Sequence, residues 1–179
     1  MTTSAEGHLP LVVLGDGVVA LRCLEVSDSP AMLEGEDEDQ VRWLNEGHRS
    51  EPARHQAWIV RNQHEWRTGG PRRHWGIRDH ASDELAGTVE AHLALPDLAP
   101  GTVNLSYAVF PAWRGRGYAV RAVRLVCAWL SVATDADTAI LRIDPANTPS
   151  LRVALDAGFA PCGSGADGLL HHVRALGER

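Results

Sequence analysis

The stretch Asn104-Leu105-Ser106-Tyr107-Ala108-Val109-Phe110-Pro111-Ala112-Trp113-Arg114-Gly115-Arg116-Gly117-Tyr118-Ala119 decides how the rest of the chain is read. It alternates as a strand up to Phe110, breaks at Pro111, turns through two glycines and opens a helix-forming segment. At such a junction several backbone N–H groups and the positive end of the helix dipole converge where an anion can sit. Gly115 and Gly117 let the backbone come close and Arg114 and Arg116 add charge, so the segment predicts a pyrophosphate cradle. A tight basic turn without a ligand is the plainer alternative. The dinucleotide-binding fingerprint is excluded, because Val120 stands where its third Gly or Ala belongs. An exposed Arg-Gly RNA tail is excluded by the strong strand and helix on either side.

Outward from this junction, the period before it is two. His74 to Arg78, Leu85 to Leu95 and Thr102 to Phe110 read as successive strands with turn-rich breaks, an antiparallel meander. Upstream, Leu11 to Leu14 and Val18 to Leu24 around Gly15-Asp16-Gly17 predict a hairpin. A short helix from Ser27-Asp28 through Leu33, an acidic loop over Glu34 to Asp39 and one helical turn over Gln40 to Asn45 follow. Residues 51–68 predict a helix, started by Pro52 and stopped at Gly69-Gly70, with Ala53, Ala57, Val60 and His64 at helical spacing.

Downstream, Gly117 to about Ala133 predicts a largely buried helix and Thr138 to Asp144 a strand. Asn147 to Ala157 predicts a helix with Pro149 in its first turn, and strands at Phe159 to Cys162 and Gly168 to Ala175 complete the sheet. The fold class is α+β, a mixed and mostly antiparallel sheet flanked by helices in three layers, organised as one domain over residues 1–179.

Composition narrows the function. The 179 residues are 44% hydrophobic and 22% charged, those of a soluble folded protein. A net charge of -6 argues against a broad nucleic-acid or anionic-membrane surface. All 17 basic residues are Arg, which removes Walker A, pyridoxal-phosphate and Schiff-base chemistry, each of which needs Lys. Cys23, Cys127 and Cys162 are odd in number and far apart, so neither a disulfide framework nor a zinc site is expected. No metal is predicted elsewhere: His64-Glu65 would need His at 68, where Thr stands, and His171-His172 alternate faces of a strand. Met1 to Pro10 lacks a signal-peptide pattern, so a cytoplasmic location is expected.

Arg114-x-x-Gly117-x-Ala119, set between strand and helix, resembles the Arg/Gln-x-x-Gly-x-Gly/Ala signature of the GCN5-related N-acetyltransferase (GNAT) superfamily. Ile143-Asp144-Pro145-Ala146-Asn147-Thr148-Pro149-Ser150-Leu151, running on to Leu155-Asp156-Ala157-Gly158-Phe159, resembles the second motif of that superfamily. The Asn-x-x-Ser form, together with Trp43-Leu44-Asn45, looks most like the RimJ/RimL-like branch. The resemblance covers roughly residues 10–176. It implies a sheet that splays between the strands of Thr102 to Phe110 and Thr138 to Asp144, with acetyl-CoA wedged in the opening. Backbone groups of Val109, Phe110 and Pro111 would pair with the pantetheine arm, a main-chain N–H near Val109 would polarise the thioester carbonyl, and Arg114, Gly115, Arg116, Gly117, Tyr118 and Ala119 would hold the pyrophosphate. Asn147 would bond near the pantetheine, besides capping its helix, and Ser150 would protonate or orient the leaving thiolate.

One departure concerns the general base. Many relatives carry Glu at the position of Asn104, and Asn cannot accept a proton at neutral pH. Glu90 and His92, two apart on the preceding strand, are the nearest replacements, unless both are solvated on an outer face. A strong base is also less needed for an α-amine, which titrates near about 8, than for a Lys side chain near about 10.4. The acidic run Glu34 to Asp39 could attract a cationic amine but reads more simply as a solvated loop, and Trp43, Trp58 and Trp66 are equally suited to an acceptor pocket or to core packing. The function expected is direct transfer of an acetyl group from acetyl-CoA to a primary amine, a protein N-terminal α-amine or a small molecule. The partners expected are therefore acetyl-CoA and an amine acceptor, with no nucleic acid, no membrane, and a homodimer left open. The alternative is an acyl-CoA-binding module that has lost turnover.

Overall fold

The computed structural model describes residues 13–177, so the Leu11 end of the expected first hairpin strand lies outside the described residues. Fifteen elements follow one another. β1 (Leu14–Gly15) and β2 (Val19–Cys23) form the hairpin, and a 3-10 turn (Val26–Asp28) leads into α1 (Ser29–Gly35), α2 (Glu38–Trp43) and α3 (Pro52–Thr68). β3 (Arg72–Asp79), β4 (Leu85–His92) and β5 (Thr102–Val109) form the antiparallel meander. A second 3-10 turn (Pro111–Trp113), α4 (Tyr118–Ala133), β6 (Thr138–Ile143), α5 (Thr148–Asp156), β7 (Ala160–Ser164) and β8 (Leu170–Ala175) complete the chain. The eight strands make one sheet in the order β1-β2-β3-β4-β5-β6-β8-β7, antiparallel everywhere except at the β5–β6 junction.

That junction is short. Only Thr102, Val103 and Asn104 of β5 pair with Thr138, Ala139 and Ile140 of β6, and from Leu105 onward the two strands part. The expected splay is therefore present where the resemblance implied it. Gly87 holds the far end of β5 close on its other side. A Cβ there would meet the Ala108 carbonyl at 2.2 Å, so only glycine permits the approach.

The main core lies between the sheet and α4, whose Tyr118, Ala122, Val123, Val126, Cys127 and Leu130 are buried at helical spacing. Trp66, Trp75 and Trp129 meet there with ring centroids 5.1–6.1 Å apart. A smaller cluster of Leu24, Met32, Ile59, Leu85 and Phe110 packs separately, with Trp58 and Trp113 against it.

Two sequence expectations are corrected here. α3 has the expected bounds but not the expected face: Ala53, Ala57, Val60 and His64 are exposed, while Ile59, Asn62 and Trp66 are buried. The large side chains Ile59 and Trp66 remove far more apolar area from water than the alanines could, and the polar His55 and Asn62 in the same helical row disguised it. The acidic run is not a loop either. α1 extends to Gly35, and Asp37 caps α2 by accepting the Gln40 N–H at 3.0 Å, with Glu38 and Asp39 in the favourable first turn. Glu36 accepts the Ser50 N–H at 3.0 Å and the Asn45 side chain at 2.7 Å.

Candidate active site

The cradle is built by local backbone chemistry. Gly115 and Gly117 sit at φ 74° and 77°, in the left-handed region, with nothing within 4 Å of where a side chain would begin. The first helical bond of α4 runs from the Arg121 N–H to the Gly117 carbonyl at 3.1 Å, so the N–H groups of Tyr118, Ala119 and Val120 stand ahead of the ladder. Gly117 caps the helix without a side-chain acceptor, which leaves this N-terminus free for an anion. The Tyr118 ring is buried and its hydroxyl bonds Asp79, while Arg116 lies 4.9 Å over the Trp113 ring.

The two arginines do not play equal parts. Arg114 turns away from the cradle: its Nε donates to the Val109 carbonyl at 3.0 Å, and its terminal nitrogens meet Asp37 at 2.7 and 3.0 Å and Asp39 at 3.2 Å. Arg116, by contrast, makes no ion pair with another described residue and lies against Trp113. Burial acts to raise the Asp37 carboxyl, but Arg114 and the Gln40 N–H outweigh it and hold Asp37 below its ordinary value.

The splay exposes one edge of β5. The Phe110 N–H bonds the Ala86 carbonyl at 2.9 Å, so by alternation the main-chain groups of Tyr107 and Val109 face the gap left by β6. Phe110 itself departs from expectation. Its N–H is taken by the Ala86 carbonyl and so cannot donate to a ligand, and its carbonyl already accepts the Trp113 N–H at 2.9 Å.

A cavity of about 390 Å³ opens beside the gap, between the sheet and the α1–α3 region. Strand register places His74, Glu90 and Ser106 in one row across β3, β4 and β5, and all three line the cavity. Glu90 is 18% exposed, with Arg72 Nε at 3.7 Å and His74 Nδ1 at 3.5 Å. Burial pushes its carboxyl above the ordinary range, against the pull of Arg72. Burial, reinforced by Arg72, drives His74 down to about 3, so His74 faces Glu90 as a neutral imidazole rather than as an ion-pair partner. Trp58 stands edge-on to His74 at 4.5 Å and stacks with His55 at 5.5 Å. His55 Nδ1 lies 3.0 Å from the Oγ of the fully buried Ser29, which fixes the ring, and burial lowers its pKa.

His92 and Asn104 form the next row and lie outside the cavity. His92 shares Glu90's face but not its surroundings, and Asn104 accepts from Arg142 Nε at 3.2 Å, with Arg142 held in turn by Asp97 at 2.6 Å. On the other side of the gap, Asn147 caps α5 by accepting the Ser150 N–H at 3.2 Å. Ser150 Oγ is 2.8 Å from the Tyr107 hydroxyl, a group that burial pushes up to about 12. Tyr107 also borders the cavity.

Of the expected residues, Glu90 thus meets the cavity directly, Ser150 meets it through Tyr107, and His92 stands apart. Trp58 lines it, Trp66 belongs to the core with Nε1 on the His74 carbonyl at 3.0 Å, and Trp43 does neither, stacking instead under Arg42 at 4.2 Å. Sequence reasoning missed Tyr107, His55 and His74. Tyr107 was in plain view as the one polar-tipped aromatic on the strand that splays, whereas nothing near His55 or His74 in sequence marks them. Among the described residues no group of His, Cys, Asp or Glu could hold a metal ion, and no helix is long and apolar enough to cross a membrane.

Comparison with known proteins agrees with this architecture. No curated protein sequence matches the chain. Among solved structures, RimJ of Mycobacterium smegmatis in complex with CoA-disulfide is 22% identical, with a TM-score of 0.72 over 93% of this chain and 85% of that one. RimL, the ribosomal L7/L12 alpha-N-protein acetyltransferase, in complex with coenzyme A, is 14% identical, with a TM-score of 0.76 over 91% and 97%. An aminoglycoside acetyltransferase in complex with coenzyme A is 18% identical, with a TM-score of 0.68 over 88% and 94%. These likenesses are likenesses of fold. Sequence carries the assignment further, through a match to the acetyltransferase (GNAT) domain that extends over residues 19–160, and by that match the chain belongs to the GNAT acetyltransferase family.

Proposed function

We propose that the protein transfers the acetyl group of acetyl-CoA to a primary amine, either the α-amine of a protein N-terminus or the amine of a small molecule. The observation that carries this reading is the gap between β5 and β6, which has a free helix start at one end and opens beside a cavity of amine-acceptor size. The similar proteins solved with coenzyme A support the choice of cosubstrate, and RimL and the aminoglycoside enzyme support an amine acceptor.

The N–H groups at the start of α4, with Gly115, Gly117 and Arg116, suit the pyrophosphate, and the Val109 edge of β5 suits the pantetheine arm. The amine nitrogen attacks the thioester carbonyl, the C–N bond forms, and the oxyanion is held by a main-chain N–H at Val109. Glu90, kept readily protonatable by burial, takes the proton the amine loses. The C–S bond then breaks and the coenzyme A thiolate takes a proton from Ser150, which Tyr107 orients and reprotonates; solvent returns a proton to Tyr107 and removes the one on Glu90, which resets both groups. No covalent enzyme intermediate is needed, and Asn147 keeps Ser150 in place through its backbone cap.

Calorimetric titration with acetyl-CoA, followed by thiol release on a seryl tripeptide, glycine amide, kanamycin and spermidine, tests the reading. Binding with turnover on one amine supports it and gives the acceptor class. Binding with no turnover on any would favour the alternative of an acyl-CoA-binding module, which the Asn104–Arg142 bond at the usual base position motivates. No binding would refute both.

A further inference from the structure

Arg114 stands in the motif assigned to the cosubstrate, yet every one of its guanidinium nitrogens is committed elsewhere. Nε holds the Val109 carbonyl on the splayed edge of β5, and the two terminal nitrogens hold Asp37 and Asp39. Asp37 is the cap of α2. α2 carries Gln40 into the cavity wall, and Leu44 and Asn45 directly after it line the same wall. One side chain therefore joins the strand end beside the thioester position to the helix that walls the acceptor cavity, across 77 residues of sequence.

We propose that Arg114 is a positioning residue that fixes the acceptor wall to the cosubstrate edge, and is not a ligand of the pyrophosphate. The proposal rests on the acetyltransferase reading above. Its energetic weight lies in Asp37 and Val109. Asp37 is only 27% exposed and meets the guanidinium with both oxygens, the geometry in which Arg–carboxylate pairing is strong, whereas Asp39 is 65% exposed and contributes little. The bond to the Val109 carbonyl also occupies one acceptor on the edge that the pantetheine would meet, which orients the strand end without closing its N–H. Were Arg114 instead a phosphate ligand, it would have to leave two carboxylates and a carbonyl first, and those carboxylates would then stand uncompensated beside an incoming polyanion.

Asp37→Asn separates the two roles. Asn caps a helix as well as Asp, so α2 keeps its start, but the charge pair with Arg114 is lost. Asp37→Asn and Arg114→Ala are compared with wild type by calorimetry with acetyl-CoA and by thiol release on the fastest amine of the four-member panel. The expected result is a rise in acceptor KM of about three- to tenfold in each variant with acetyl-CoA Kd within about twofold, kcat staying within about twofold in Asp37→Asn and falling further only in Arg114→Ala, which also loses the bond to Val109. The double variant should be no worse than Arg114→Ala alone, because the pairing that Asp37→Asn weakens is already gone once the guanidinium is removed. A tenfold loss of acetyl-CoA affinity in Arg114→Ala, with tighter binding in Asp37→Asn where the arginine is released, would overturn the proposal and make Arg114 a phosphate ligand. Unchanged acceptor KM in both variants would overturn it as well. Wild-type protein that fails to bind acetyl-CoA would instead remove the acetyltransferase reading itself, an outcome visible before any variant is made.

Discussion

Glu90→Gln removes one proton acceptor and changes almost nothing else in shape. Glu90 is 18% exposed and pairs with Arg72 at 3.7 Å, while the like charge of Glu65 adds to burial in favouring its protonated form. The neutral His74 is at 3.5 Å. Loss of a general base costs typically about 10²–10⁴ in rate. For an α-amine acceptor near about pKa 8, about a tenth is already neutral at pH 7 and water can take the proton, so a loss of about 10² in kcat/KM is expected. For a lysine side chain near about 10.4 the neutral fraction is a few hundred times smaller, and the loss should approach the upper end of that range. The acid limb of the pH–rate profile, placed above the ordinary carboxylate range in wild type because burial raises Glu90, should give way to the titration of the amine itself.

Stability should move the other way. A carboxyl whose folded pKa is raised stabilises the fold most when protonated, below its unfolded value, and that contribution is lost as pH rises through the folded value. At pH 8 the buried carboxylate is therefore a small liability, and Glu90→Gln should leave Tm unchanged or raised. The assay is thiol release across pH 5–9 beside a thermal melt at pH 8. A kcat/KM within threefold of wild type would refute Glu90 as the base and turn attention to His55, whose ring is fixed by Ser29 at the same cavity. A marked fall in Tm would show a structural role instead.

Tyr107→Phe keeps the ring and deletes the hydroxyl that holds Ser150, so kcat should fall about tenfold with acetyl-CoA Kd unchanged by calorimetry, and Ser150→Ala should add little to it; additive losses would mean that the two hydroxyls act separately. His74, held near pKa 3 against an unfolded value of 6.5, contributes stability that is full above pH 6.5 and is lost as pH falls toward 3. The slope of Tm against pH in that window should flatten in His74→Phe, and an unchanged slope would assign acid sensitivity to other groups.

The sequence announced the junction at Asn104 to Ala119 and the order of strands because both are local: alternation, glycine spacing and caps act within a few residues. The bounds of α3 were legible for the same reason, through Pro52 and Gly69, while its buried face was not, since His55 and Asn62 interrupt the apolar row. The site was legible only as far as register carries. Glu90 could be placed beside the cosubstrate strand by counting, but its neighbour His74 comes from another strand, Ser29 reaches His55 across 26 residues, and Asp37 reaches Arg114 across 77. Such contacts are made by tertiary packing, and no local spacing encodes them. Phe110 shows the converse, a residue the motif puts on the cosubstrate edge whose N–H is turned instead to the Ala86 carbonyl.

Mechanically, the sheet is two antiparallel panels, β1 to β5 and β6 with β8 and β7, seamed along three residue pairs. A pantetheine arm lying on the β5 edge would act as a missing rung and lengthen that seam. Acetyl-CoA should then slow amide exchange most on both banks of the gap, at Leu105–Val109 and Leu141–Ile143, and the hinge between the panels would be stiffened by the substrate the hinge receives.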